Sequence, residues 1–232
     1  MRFLDRVVEP PSCLKRYRHG KDTWNAACPA PEERQNIWQL LEFMQGHRCA
    51  YCEGPMGEGN RHIEHFRQRR VYPQGTFDWS NLFGSCNRAG TCGKAKDQCG
   101  KYPLEVLIKP DIDDPDTFLV FTAGGTVRPR AGLSAADRLR ASETIRILSL
   151  DGALNQIRRV ELYGYIQTME VFAEYAEAYP DDEGWMQELE QEVLGTAHLP
   201  YATAIRHVLT RQSEPGKTSS VPTPQPLHAP TA

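Results

Sequence analysis

The sequence predicts an α+β fold, mainly α, with a small cysteine-rich module embedded among helices. Three observations carry this. Four cysteines, Cys49, Cys52, Cys86 and Cys92, fall in two separated pairs within a segment of little apolar periodicity. An amphipathic helical pattern precedes that segment, and several longer ones follow it. Between the module and the later helices lie short apolar runs bounded by Gly and Pro, which suit short strands.

The totals set the class. A chain of 232 residues is long enough for one good-sized domain or two small ones with a buried core. With 40% hydrophobic and 25% charged residues, it has an ordinary globular composition. No apolar run approaches the roughly 18 residues of a membrane span. The start, "MRFLDRVVEPPSCLKRYRHG", has charges and prolines where a signal peptide needs an apolar stretch, so the expected location is cytoplasmic, with no membrane partner. Seven cysteines, an odd count, then argue for metal rather than a disulfide framework. A net charge of −3 makes the whole chain a poor polyanion magnet. Affinity for nucleic acid would come from a partner or from local clusters: Arg61, Arg67, Arg69 and Arg70, then Lys94, Lys96 and Lys101.

Residues 1–46 read as an arm and a helix. "EPPSC" and "CPAPEE" mark extended or turn segments, and this arm is expected to wrap over a later core. Over residues 32–45, Ile37, Leu40, Leu41 and Met44 follow the i, i+3, i+4, i+7 pattern. Pro31 sits near the first turn and Gly46 at the end. In residues 47–102, "HIEHF" and "NLFGSC" suit short strands and Lys94–Asp97 a short helix. A module of that size needs a metal staple.

Residues 103–133 suggest two or three short strands, in "PLEVLIKP" and "DIDDPDTFLVFTAGGTVRPR", one of them ending at Gly124-Gly125. The run Asp111, Asp113, Asp114, Asp116 lacks the glycine and distal glutamate of an EF-hand and reads as a solvated acidic turn. From Ser134, a plausible N-cap, to residue 211 the chain reads as helical. Tyr163, Tyr165, Phe172, Tyr175 and Tyr179 are expected to pack helix on helix. This part, 103–211, is the candidate surface for docking a partner. Residues 213–232 are rich in Pro, Ser and Thr and are expected to be disordered.

Cys49-x2-Cys52 and Cys86-x5-Cys92 suit a closed, structural Zn2+ site, two sulfurs from each turn. Gly90 lets the wider second loop turn back, and Cys99 is an alternative to Cys92. A zinc held by four thiolates does no chemistry itself, which argues against a zinc hydrolase. It would present what lies between the pairs on a fixed frame. There lie Glu64-His65 and, later, Asn81. A histidine of ordinary pKa suits a general base, and a carboxylate suits a hard cation such as Mg2+. On a strand Glu64 and His65 point to opposite faces, so they share one site only if the strand ends or bulges there.

This order, C-x2-C, E-H, N-L, C-x5-C, then "GKAKD", resembles the HNH endonucleases. The resemblance implies a ββα-metal unit stapled by Zn2+, with His65 as general base and Glu64 as ligand of a catalytic Mg2+ or Mn2+. It makes Asn81 the residue that orients the histidine loop, and Lys96 the motif's lysine. The family places a second metal ligand, Asn or His, just after the last cysteine, where this chain has Gly93. Asp97, Asn87 and His62 are the candidates to replace it, Asp97 preferred. Over about residues 1–165, "CAYCE", "IEHFRQ", "WSNLFGSC", "TCGKAKD" and "ETIRILSLDGALNQIRR" resemble the PtuB-type HNH subunits of Septu and retron-associated anti-phage systems. That implies a nucleic-acid substrate, DNA favoured over RNA such as tRNA, and an ATPase partner of ABC or SMC type (PtuA-like) in a defence complex. The competing reading is a catalytically weak zinc-knuckle adaptor that binds nucleic acid or a partner protein. Glu64, His65, Asn81 and Lys96 together favour the enzyme; Gly93 favours the adaptor.

Overall fold

The first helix, α1 (Pro31–Gln45), starts with proline where no intrahelical donor is needed and stops at Gly46 in a left-handed C-cap. In this computed structural model, which describes residues 1–6 and 9–210, the elements that follow are β1 (Arg61–His65), β2 (Leu82–Cys86), α2 (Cys92–Gln98), β3 (Leu119–Phe121) and β4 (Val127–Pro129). Four helices complete the order: α3 (Ala135–Ile147), α4 (Ala153–Ala178), α5 (Gly184–Thr196) and α6 (Ala202–Leu209). The architecture is α+β and mainly helical. The tail expected over 213–232 lies outside the described residues. No helix among the described residues is long and apolar enough to cross a membrane.

Two antiparallel hairpins carry the strands. In the first, Glu64 faces Phe83 and His65 faces Leu82, so β1 ends at the histidine. The last side chain of α1, Gln45, is buried and pairs with both backbone groups of Gly84, at 2.8 and 2.9 Å. It docks the helix on the buried backbone of β2, at the glycine that has no side chain to block the approach. The second hairpin pairs Leu119 with Pro129 and Phe121 with Val127. The third strand suggested in "PLEVLIKP" is absent. A 3-10 turn spans Leu104–Val106, and the N–H of Ile108 donates to Thr144 Oγ1 at 2.9 Å instead of to a ladder. Pro103 and Pro110 cannot donate at either end.

The arm wraps the core as expected. Met1 and Leu4 are buried, and Leu4 N donates to Pro110 O at 2.7 Å. Arg6 donates to Trp79 O and Leu82 O, each at 3.0 Å, and pairs with Asp111. A continuous cluster of buried apolar side chains runs from this arm through both hairpins to α6.

Two expectations need correction. The acidic run is not a solvated turn. Asp111 is held by Arg6 and Lys109, and Asp113 by Arg140. Asp116 accepts from buried His207 at 2.5 Å and pairs with Arg130 and Arg206, each at 3.0 Å. That surrounding positive charge holds the Asp116 carboxyl below its usual range despite burial, the largest and opposing effect. The long-helix aromatics divide. Tyr165 and Phe172 pack on the core, while Tyr163, Tyr175 and Tyr179 stay exposed. Only one stripe of α4 is fully buried, through Leu154, Arg158 and Leu162 at a spacing of four.

The tip of the second hairpin meets α4 closely. Gly125 has φ +81°, and a Cβ there would lie 2.2 Å from Asn155 O. Its carbonyl accepts from the buried Arg158 Nε at 2.7 Å. Gly125→Ala is therefore expected to destabilise the fold by roughly 2–3 kcal/mol, read as a lower midpoint in denaturant unfolding. An unchanged midpoint would mean that the hairpin tip does not seat on α4.

Candidate metal centre and adjoining histidine site

The two cysteine pairs are brought together by the first hairpin. Cys49 and Cys52 lie in the turn after α1, Cys86 ends β2, and Cys92 begins α2. Their four Sγ atoms all lie within 4.8 Å of one another, and all four residues are buried. Zn–S bonds of about 2.3 Å in a tetrahedron require sulfurs about 3.8 Å apart. Cys52 Sγ and Cys86 Sγ are 3.9 Å apart. Without a cation the thiols split: hydrogen bonding with Cys49 pushes Cys86 down and pushes Cys52 and Cys92 up. Four thiolates so close in a buried pocket need a soft cation, and the donor set fits a structural metal ion such as zinc.

Cys99 is not part of the cluster; its sulfur accepts from Arg146 at 3.5 Å. Cys92 is the fourth donor. Its N–H reaches Leu148 O at 2.7 Å, which anchors the start of α2.

One turn beyond Cys92, on the same helix face, is Lys96. Its ammonium is fully buried and lies 2.7 Å from Glu64 Oε1, an ion-pair contact rather than an aligned hydrogen bond. It also reaches Asp97 Oδ1 at 2.8 Å; that carboxylate is exposed. The other Glu64 oxygen is 3.2 Å from His62 Nε2. Gly93 lies against this group: a Cβ there would be 2.5 Å from Glu64 Oε2 and 2.9 Å from His62 Nε2. Glu64 and His62 fill the space that a side chain at position 93 would need. The Asn87 amide donates to Arg61 O at 3.0 Å.

His65 has different partners, as the strand period requires. Its Nε2 is 2.9 Å from Thr76 O. A carbonyl can only accept, so Nε2 carries the proton and Nδ1 keeps its lone pair. Nδ1 has no partner among the described residues. Trp24 from the arm packs edge-on against the ring, with centroids 4.7 Å apart. Burial pushes the imidazole down to about 4; the bond to Thr76 opposes this, and Arg69 and Lys96 add to it. The ring is thus neutral across the physiological range.

Asn81 fixes the loop that carries Thr76. Its Oδ1 accepts from Arg67 N at 2.7 Å, and its Nδ2 donates to Gly75 O at 3.0 Å and Arg67 O at 3.2 Å. Gln68 Nε2 donates to Lys96 O at 2.6 Å, tying the same loop to α2. Trp24, Thr76 and Gln68 carry no signal in the sequence. Thr76 contributes only a carbonyl, and Trp24 arrives from an aperiodic arm.

The basic clusters split. Arg61 turns to Glu42 and stacks over Trp38, and Lys96 is buried. Arg67, Arg69, Arg70, Lys94 and Lys101 stay exposed. Outside the four cysteines, no group of three or more His, Cys, Asp or Glu ligand atoms comes together among the described residues. Glu64 and Asp97 both hold the Lys96 ammonium. The residues as arranged do not fit a Mg2+ or Mn2+ ion.

Metal analysis of the purified chain is expected to give about one ion per chain, by the one-site arithmetic of a closed cluster. Cys99→Ser is expected to keep that ion and Cys92→Ser to lose it; the reverse would refute the assigned donor set. Lys96→Met leaves Glu64 buried without a counter-charge and is expected to cost about 3–5 kcal/mol in unfolding experiments. Pairing it with Glu64→Gln is expected to recover most of that loss, and no recovery would mean the two groups are not coupled. No family model and no curated protein matches the chain.

Proposed function

We propose that the chain is an HNH-type endonuclease that hydrolyses phosphodiester bonds of nucleic acid. The observation that carries this reading is the His65 imidazole, neutral, fixed in one tautomer by Thr76 O, with Nδ1 free. A base must be held unprotonated and aimed, and both conditions are built into the fold. Nδ1 takes a proton from water, the oxygen attacks phosphorus, and the bond to the leaving oxygen breaks. The exposed Arg69 lies near enough to act on the charge of the imidazole and suits a phosphate oxygen. Lys96 is buried and acts through its field alone. Asn81 is a positioning residue for the loop.

On this reading the four-cysteine ion is structural Zn2+, and the hairpin with α2 is the ββα unit of the HNH pattern. The sequence resemblance adds DNA as the favoured polymer, RNA such as tRNA as the other, and a PtuA-like ATPase as partner in a cytoplasmic anti-phage complex. The Lys96 ammonium already occupies the space between the Glu64 and Asp97 carboxylates, where a Mg2+ or Mn2+ ion would sit. That same observation favours the second reading, an adaptor whose knuckle binds nucleic acid or a partner without cutting.

The test uses supercoiled plasmid and total tRNA, with and without Mg2+ or Mn2+, and with the candidate ATPase absent and present. His65→Ala is expected to lower cleavage by about 10²–10⁴-fold with metal content and fold retained. The base works deprotonated and its proton is lost above about 4, so the rate is expected to be flat through neutrality and to fall only as pH drops toward about 4. A limb near 6.5 would mean another base. No cleavage in any mixture would leave the adaptor reading.

A further inference from the structure

Between the loop that follows β1 and the segment that follows α2 is a cavity of about 510 Å3, within the usual range for small-ligand pockets. Its walls include the aromatic rings of Tyr72 and Tyr102 and the side chain of Leu104. Its charged lining is basic, from Arg67 and Lys101, both exposed. Two polar groups in the lining have unused capacity. The Tyr102 hydroxyl is buried with no hydrogen-bond partner. Gln68 is buried, spends its Nε2 on Lys96 O, and has no donor to its Oε1 among the described residues. Burial, then the charges of Glu64 and Asp97, push the Tyr102 phenol up, so it stays a donor and lies within electrostatic reach of both carboxylates.

We infer that this cavity binds one unstacked nucleotide of a single-stranded nucleic acid, its base against the wall of Tyr102, Pro103 and Leu104 and its phosphate on the basic side. Aromatic and apolar walls suit a base face, which every nucleobase has. A free donor and a free acceptor suit a base edge. Arg67 and Lys101 match a phosphate in sign, and Arg67 is already stacked over Tyr72 at 4.8 Å. A base paired inside a duplex cannot enter such a pocket without leaving the stack. The inference rests on the nuclease reading and gives it a substrate class: single strands, loops or ends, with the reacting phosphate next to the trapped base.

The experiment is fluorescence anisotropy with fluorescein-labelled phosphorothioate oligonucleotides and the full metal-loaded chain. Single-stranded DNA, single-stranded RNA and a blunt DNA duplex of the same sequence form the arms. Single strands are expected to bind at least about tenfold more tightly than the duplex, the size of one base stack. Leu104→Trp fills the cavity and is expected to erase that preference while leaving duplex binding unchanged. Tyr102→Phe removes only the hydroxyl and is expected to weaken single-strand binding about fivefold, the size of one hydrogen bond. Equal affinity for strand and duplex overturns the inference. So does an unaltered preference in a folded, metal-loaded Leu104→Trp, or in Tyr102→Phe should the first variant not fold. Cleavage of unmodified oligonucleotides, with His65→Ala as control, separates the two ideas. Cutting without strand preference sinks the pocket alone; strand preference without cutting sinks the nuclease reading and keeps the pocket.

Discussion

Four cysteine sulfurs packed within 4.8 Å in a buried pocket set the terms for the rest of the molecule. Left bare, they cannot all be ionised, since each thiolate raises the cost of the next. A cation resolves that conflict and makes binding energy into folding energy. The sulfurs come from the turn after α1, the end of β2 and the start of α2, so one ion fixes three elements at once. A two-stranded hairpin and a helix of two turns would not hold that arrangement by apolar burial alone.

The fixed frame then decides which side chains meet. Lys96 follows Cys92 by one helical turn and is carried to Glu64 on β1. Burying both charges is costly, and the pair persists because each neutralises the other and the alternative is an isolated charge. Gly93 belongs to the same solution. Any side chain there would collide with the Glu64 carboxylate, so the glycine and the inward-turned glutamate are one structural fact. The consequence is a module whose cation, on the Glu64 side, is its own lysine.

On the other face of the strand the arm completes the wall around His65. Arg6 clamps the backbone on either side of Asn81, and Trp24 shields the imidazole from water. Desolvation lowers the imidazole and Thr76 O selects its tautomer, so the ring is prepared as an acceptor before any ligand arrives. The later helices close the far side. Glu53, next to Cys52, accepts from Thr203 N at the start of α6, and Arg48 reaches Ala197 O and Leu199 O after α5. The knuckle is thus bound to the helical part by its own polar side chains.

The sequence by itself determined what depends on local spacing. The proline-to-glycine limits of α1, the Ser134 cap, the hairpin turn near Gly124-Gly125 and the four cysteine donors all follow from neighbours along the chain. Only the tertiary structure decided what depends on distant partners. Asp111, Asp113 and Asp116 look solvated in sequence because Arg6, Arg140 and His207 are far away in the chain. "PLEVLIKP" looks like a strand until Thr144 takes the Ile108 donor. All five aromatics between Tyr163 and Tyr179 look like packing residues until the helix is laid down on a single stripe, which leaves Tyr163, Tyr175 and Tyr179 exposed. At the site, residue types were legible but charge pairing was not. Whether Glu64 faces a metal or an ammonium depends on where α2 lands, and that is set by a cluster of sulfurs brought together from across the fold.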